Sequence, residues 1–204
     1  VTTGSTDAAA LTADGGNNII ITAGAAPSLP TFTRGAVFKL YSFSLPTIVG
    51  AITGITVNVK AKCSVTKHAN LYVSVGEKNT TYGLTPFPHS AEFPGGLPTA
   101  LLIAGQTTVF ENSTIAKVLP ITDTASFGTY TFGGIGQTWI PGTYSWPTAQ
   151  FSSNFMVHIG VAFTSDAGAA ETATLDKLDL TVYYGGVSAT VVDQKVYDAI
   201  VVQS

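Results

Sequence analysis

The stretch Leu175-Asp-Lys-Leu-Asp-Leu-Thr-Val-Tyr-Tyr184 decides the fold class when read beside Gly50-Ala-Ile-Thr-Gly-Ile-Thr-Val-Asn-Val-Lys-Ala-Lys-Cys63. In the later stretch Leu178, Leu180, Val182 and Tyr184 alternate with Lys177, Asp179, Thr181 and Tyr183. In the earlier one Ile55, Val57, Val59, Ala61 and Cys63 fall on one side, and Thr56, Asn58, Lys60 and Lys62 on the other. Side chains with a period of two belong to strands that turn one face to a core and the other to water.

Working outward, more strands follow the same pattern. Asn18–Thr22, Val37–Leu45 (stopped by Pro46), Asn70–Val75, Thr129–Phe132 and Met156–Phe163 all read as strands, and Ala100–Ala104 with Thr107–Phe110 reads as a hairpin. Pro27 and Pro30 make residues 23–30 a loop. Pro86, Pro88, Pro94 and Pro98 punctuate a long loop from Asn79 to Thr99. A loop that long is uncommon unless it binds something or is ordered by a partner. Many short strands, Gly- and Pro-rich turns and no convincing amphipathic helix predict an all-β fold: an antiparallel β-sandwich, jelly-roll-like, with an extended N-terminal arm and a C-terminal tail. The expected divisions are a flexible or assembly arm over 1–18, a β-sandwich domain over 19–184, and a strand-forming tail over 185–204 that starts at Gly185-Gly186.

At 204 residues the chain is long enough to bury a sizeable core. Charged residues are 10% of it, against about 25% in an ordinary soluble domain. Its surface is therefore solvated by hydroxyls and backbone, which suits extracellular β proteins and packed assembly subunits better than a housekeeping cytosolic enzyme. The net charge is −3, Arg34 is the sole arginine, and no basic run exists. Nucleic-acid binding needs clustered cations to displace counterions from phosphates, so it is not expected. No apolar stretch approaches the roughly 20 residues that span a bilayer, so no membrane span is expected. With one cysteine, Cys63, on the apolar side of its strand, no internal disulfide forms and the thiol reads as a small buried hydrophobe.

Catalytic and cofactor readings find little support. His68, His89 and His158 are scattered without metal-ligand spacing, and no Gly-x-Ser-x-Gly elbow occurs. Asp176 and Asp179 fall on opposite faces of their strand, which is unlike the paired carboxylates of a glycosidase. No catalytic residue, cofactor or metal site is expected. Asp14-Gly-Gly-Asn-Asn18 and Asp166-Ala-Gly168 carry oxygens suited to calcium, but both are more simply turns. Tyr82, Phe87, Trp139 and Trp146 are candidates for stacking against sugars. The plainer reading is that Trp139 and Trp146 plug the end of the fold with their N–H groups bonded to carbonyls.

Several of these pieces together resemble a β-sandwich domain widespread in structural proteins of tailed phages. They are Phe43-Ser-Leu-Pro46, Gly50-Ala-Ile-Thr-Gly-Ile-Thr-Val-Asn-Val59, Tyr130-Thr-Phe-Gly-Gly134, Trp139-Ile-Pro141, Asn154-Phe-Met-Val157 and the closing run Leu175–Tyr184. The resemblance covers roughly residues 12–184 and departs from the pattern at the Pro-rich loop and after Gly186. It implies a non-enzymatic virion structural protein, a capsid decoration, head-fibre or tail-associated component on the particle surface. Its partners would be other virion proteins of the capsid or tail and further copies of itself, with a host-surface glycan as a further candidate. On that expectation Val191, Val192, Ile200, Val201 and Val202 are the apolar residues for an assembly contact by strand addition, unless they complete the chain's own sheet. Two other functions fit the composition: a carbohydrate- or receptor-binding β-sandwich module, and an extracellular filament or surface-layer subunit.

Overall fold

The alternating runs become the long central strands of the protein. The computed structural model describes residues 2–4, 11, 15, 18–24, 34–41, 43, 45, 47–79, 83–85, 117–139, 155–164, 166–185, 187–191 and 195–202. The regular elements among these are β-strands: β1 (Thr2–Gly4), β2 (Ile19–Thr22), β3 (Arg34–Tyr41), β4 (Ile52–Cys63), β5 (Ala69–Asn79), β6 (Gly83–Thr85), β7 (Lys117–Pro120), β8 (Gly128–Ile135), β9 (Phe155–Phe163), β10 (Thr172–Tyr184), β11 (Val187–Val191) and β12 (Lys195–Val202). Every pairing between them is antiparallel. The all-β expectation holds.

The strands form two six-stranded sheets. One runs β1-β2-β10-β4-β8, with β11 also on β10; the other runs β12-β3-β9-β5-β6, with β7 also on β5. Each sheet solves the same problem in the same way. The long strand β10 gives its first residues, Thr172–Leu175, to β2 and its last, Leu180–Tyr184, to β11. The long strand β5 likewise gives Asn70–Val73 to β7 and Glu77–Asn79 to β6. Two short strands thus cover one edge of a long one.

Inward side chains of both sheets enter one hydrophobic cluster. Ile55, Val57, Val59 and Ala61 of β4 are fully buried, as are Leu71, Val73 and Val75 of β5, Val157, Ile159 and Val161 of β9, and Leu178, Leu180 and Val182 of β10. β-Branched residues dominate this set, and their restricted χ1 costs little on a pleated surface. At one end Phe43 packs on Phe155 with ring centroids 5.9 Å apart.

The register slips twice along β10 and β4. Leu175 lies opposite Ala61 and Lys177 opposite Lys60, so Asp176 is an extra residue; Tyr183 lies opposite Gly54 and Tyr184 opposite Ile52, so Thr53 is another. Each slip changes which side chains face the core. Leu175 and Ile52 therefore rejoin the buried face beyond the slips.

The N-terminal stretch does more than its expected role as an arm. Thr2–Gly4 pairs with Ile19–Ile21 of β2, and Leu11 is fully buried in the core. The tail residues form β11 and β12 in the chain's own sheets. Within the long Pro-rich loop, Gly83–Thr85 returns as a strand against β5. The expected hairpin at 100–110 lies outside the described residues. Among the described residues no helix is long and apolar enough to cross a membrane.

Candidate functional site

Two kinds of place can carry function here: the sheet margins, where among the described residues a strand is paired on one side only, and the loops at the sheet ends, where polar side chains gather. The margins follow from the strand order. β1 is outermost in one sheet and β12 outermost in the other, and among the described residues each pairs with a single strand. Of the five apolar residues expected at an assembly contact, four lie in the tail strands β11 and β12. Ile200, Val201 and Val202 lie opposite Val37, Ala36 and Gly35 of β3, and Val191 lies opposite Leu180 of β10. Val192 is outside the described residues. Backbone pairing within the chain therefore uses one edge of β12, and a row of N–H and C=O groups on its other edge faces away from β3.

Of the four aromatics considered for sugar stacking, Tyr82, Phe87 and Trp146 are outside the described residues. Trp139 is 7% exposed and packs in the core, and its Nε1–H donates to the Ile55 carbonyl at 2.8 Å. Its ring has little face left for a ligand. It also holds φ at +66°, a conformation costing an ordinary L-residue about 1–2 kcal/mol. The same place explains Gly133, whose φ is +80° and whose missing side chain leaves room for the Ile55 carbonyl and the indole nitrogen.

The polar loops meet at the end of β4. The turn after Cys63 carries His68, whose Nδ1 lies 2.9 Å from Glu171 Oε2, with Asp166 Oδ2 3.7 Å from Nε2. Main-chain and side-chain bonds hold these turns together: Thr164 N–H and Oγ1 both bond the His68 carbonyl, and Thr172 N–H donates to Ser64 Oγ. The Glu171 carboxyl lies below its ordinary range, chiefly because the Gly168 N–H bonds it and then because of His68. This junction ties the β4–β5 turn to the β9–β10 loop. Among the described residues no group of three His, Cys, Asp or Glu side chains is placed to hold a metal.

Beneath the junction, Cys63 is 3% exposed, and its Sγ–H lies 2.9 Å from the Val65 carbonyl and 3.3 Å from that of Ile121. Burial pushes the thiol up from its ordinary value, which disfavours the reactive thiolate. The neighbouring loop is closed by Tyr130, whose hydroxyl donates to Asp123 Oδ2 at 2.6 Å and accepts from the N–H groups of Thr122 and Asp123. Sequence reasoning anticipated the buried thiol but gave no sign of the His68–Glu171 or Tyr130–Asp123 contacts.

No family model, curated protein or solved structure matches this chain.

Proposed function

We propose that this chain is a non-enzymatic structural protein of a virion surface, a decoration or appendage component, built as a jelly-roll-like β-sandwich and assembled through its margins. The supporting observation is that, among the described residues, β1 stands outermost in one sheet and β12 outermost in the other. An open strand edge is a template for another chain, giving affinity through main-chain bonds and register through alternate side chains. The low charge of the chain, 10% of residues, fits a surface that neighbours cover. The buried Trp139 weakens the sugar-binding alternative, because one of its four stacking candidates belongs to the core.

Electron microscopy of the native material tests the reading. Density for this chain on an icosahedral shell or tail supports it. Continuous filaments without a particle would favour the surface-filament alternative, and a free monomer would return attention to ligand binding. Removing residues 187–204 tests the assembly contact separately. A truncated chain that melts cooperatively but no longer assembles supports the margin role. A chain that no longer folds would assign β11 and β12 to the fold alone.

A further inference from the structure

β8 closes the margin of its sheet opposite β1, and among the described residues it pairs with β4 alone. Side-chain exposure agrees with an open edge. Thr129 and Thr131 on the outward face of β8 are exposed, whereas Lys60 and Asn58, which lie opposite them on β4, are half-buried. A strand on the far side of β8 would shield both threonines, as β8 and β10 together shield Lys60 and Asn58. The chain turns away where the Gln137 N–H donates to the Gly134 carbonyl at 3.1 Å, so the open run covers residues 128–133.

An open edge invites strand pairing, and proteins blunt it with short strands, charges, prolines or bulges. Among the described residues, the other strands paired on one side only carry such devices. β1, β6, β7 and β11 are three, three, four and five residues long, and β7 adds Lys117 and Pro120. β12 is eight residues long but carries Lys195, Asp198 and a register shift between Val196 and Asp198. β8, Gly128-Thr-Tyr-Thr-Phe-Gly-Gly-Ile135, has eight residues with no charge, no proline and an unbroken register against β4.

We propose that β8 docks a second copy of this chain, edge to edge and antiparallel across a two-fold axis, so that the sheet holding β4 and β8 runs on from one copy into the next. The lack of charge selects a second copy as the occupant. A two-fold contact sets the same patch against itself, and like charges directly opposite destabilise a sheet, so a self-pairing edge has to be neutral. With the axis at Tyr130, Thr129 of each copy lies opposite Thr131 of the other, a favourable cross-strand pair. Thr131 Oγ1 donates to Asn58 Oδ1 at 2.8 Å and keeps its lone pairs to accept from that threonine. The contact uses a margin other than β1 and β12 and needs no virion, so its failure and that of the virion reading are separate results.

Sedimentation equilibrium of the full chain is expected to show the 21.1 kDa monomer giving way to twice that mass as concentration rises from about 1 μM to 1 mM. Thr129→Lys combined with Thr131→Lys should raise the dimer dissociation constant about tenfold or more, since each lysine then faces another across the axis. Val118→Lys, at an exposed position of β7, should leave that constant unchanged. Amide exchange reads the parent chain directly, should the double variant not fold. Protection over residues 128–133 should grow with concentration while that of β12 does not. A parent chain that stays monomeric at about 1 mM overturns the proposal, as does a dimer that tolerates both lysines. Protection of β8 that is the same at every concentration also overturns it, because no second copy then reaches this edge.

Discussion

Leu175 and Leu178 lie three positions apart on one strand, yet both are fully buried, because β10 slips by one residue against β4 at Asp176. In a regular strand an odd separation puts two side chains on opposite faces. The extra residue is thus what lets both leucines, and the β2 pairing that begins at Leu175, belong to one sheet. Deleting Asp176 should force either Leu175 or the Leu178–Val182 set to the wrong face. Equilibrium urea unfolding is expected to show a loss exceeding the about 2–5 kcal/mol of a single Leu178→Ala cavity. A deletion variant as stable as the parent would mean that the slip is incidental.

The Trp139 indole and Gly133 backbone share the space around the Ile55 carbonyl. Trp139→Phe keeps an aromatic ring but removes the donor, so it should cost about 1–3 kcal/mol, the usual penalty for a stranded buried acceptor. Gly133→Ala should cost at least about 2 kcal/mol, since it combines positive φ with collision against backbone. Denaturant midpoints of the two variants check both values. Loss of less than about 0.5 kcal/mol in each would show that this end of β8 is loosely held, as for an ordinary surface substitution.

These features mark where sequence reading stops. Alternation in β4 was legible because Ile55 to Cys63 runs without interruption, and the Cys63 burial followed from its phase. The slip at Asp176 was not legible, because an extra acidic residue in Leu-Asp-Lys-Leu looks like ordinary alternation with Leu175 outside. Leu11 falls within the expected arm, since one leucine among Ala, Thr and Asp has no periodicity to announce a core position. The His68–Glu171 contact joins residues 103 positions apart, and no local pattern encodes a separation of that size. Trp139 was legible in its plainer role, as a plug bonded through its N–H.

The His68–Glu171 junction gives stability a defined acid limit. The folded Glu171 carboxyl lies below its ordinary value of 4.5, first through the Gly168 N–H and then through His68. A depressed folded value contributes stability that is fully present above the unfolded value and disappears as pH falls through the folded one. Melting temperatures measured from pH 6 to pH 3 should therefore fall below about pH 4.5, and Glu171→Gln should flatten that part of the curve. Parallel curves for parent and variant would remove the junction from any account of acid sensitivity.

Cys63 reports on the loop above it. Its thiol is buried and pushed up by that burial, so a disulfide reagent should label it only as fast as the protein opens. The Cys63 N–H donates to the Asp123 carbonyl at 2.9 Å, and the Asp123 carboxylate is in turn held by the Tyr130 hydroxyl. Tyr130→Phe removes the hydroxyl that closes this loop, at an expected cost of about 1–3 kcal/mol in urea unfolding. If the loop also seals the thiol, labelling in native buffer should accelerate by more than the change in global stability accounts for. Labelling that follows global stability alone would instead mean that Cys63 is reached only through complete unfolding, and that the Tyr130–Asp123 contact fastens the loop without gating it.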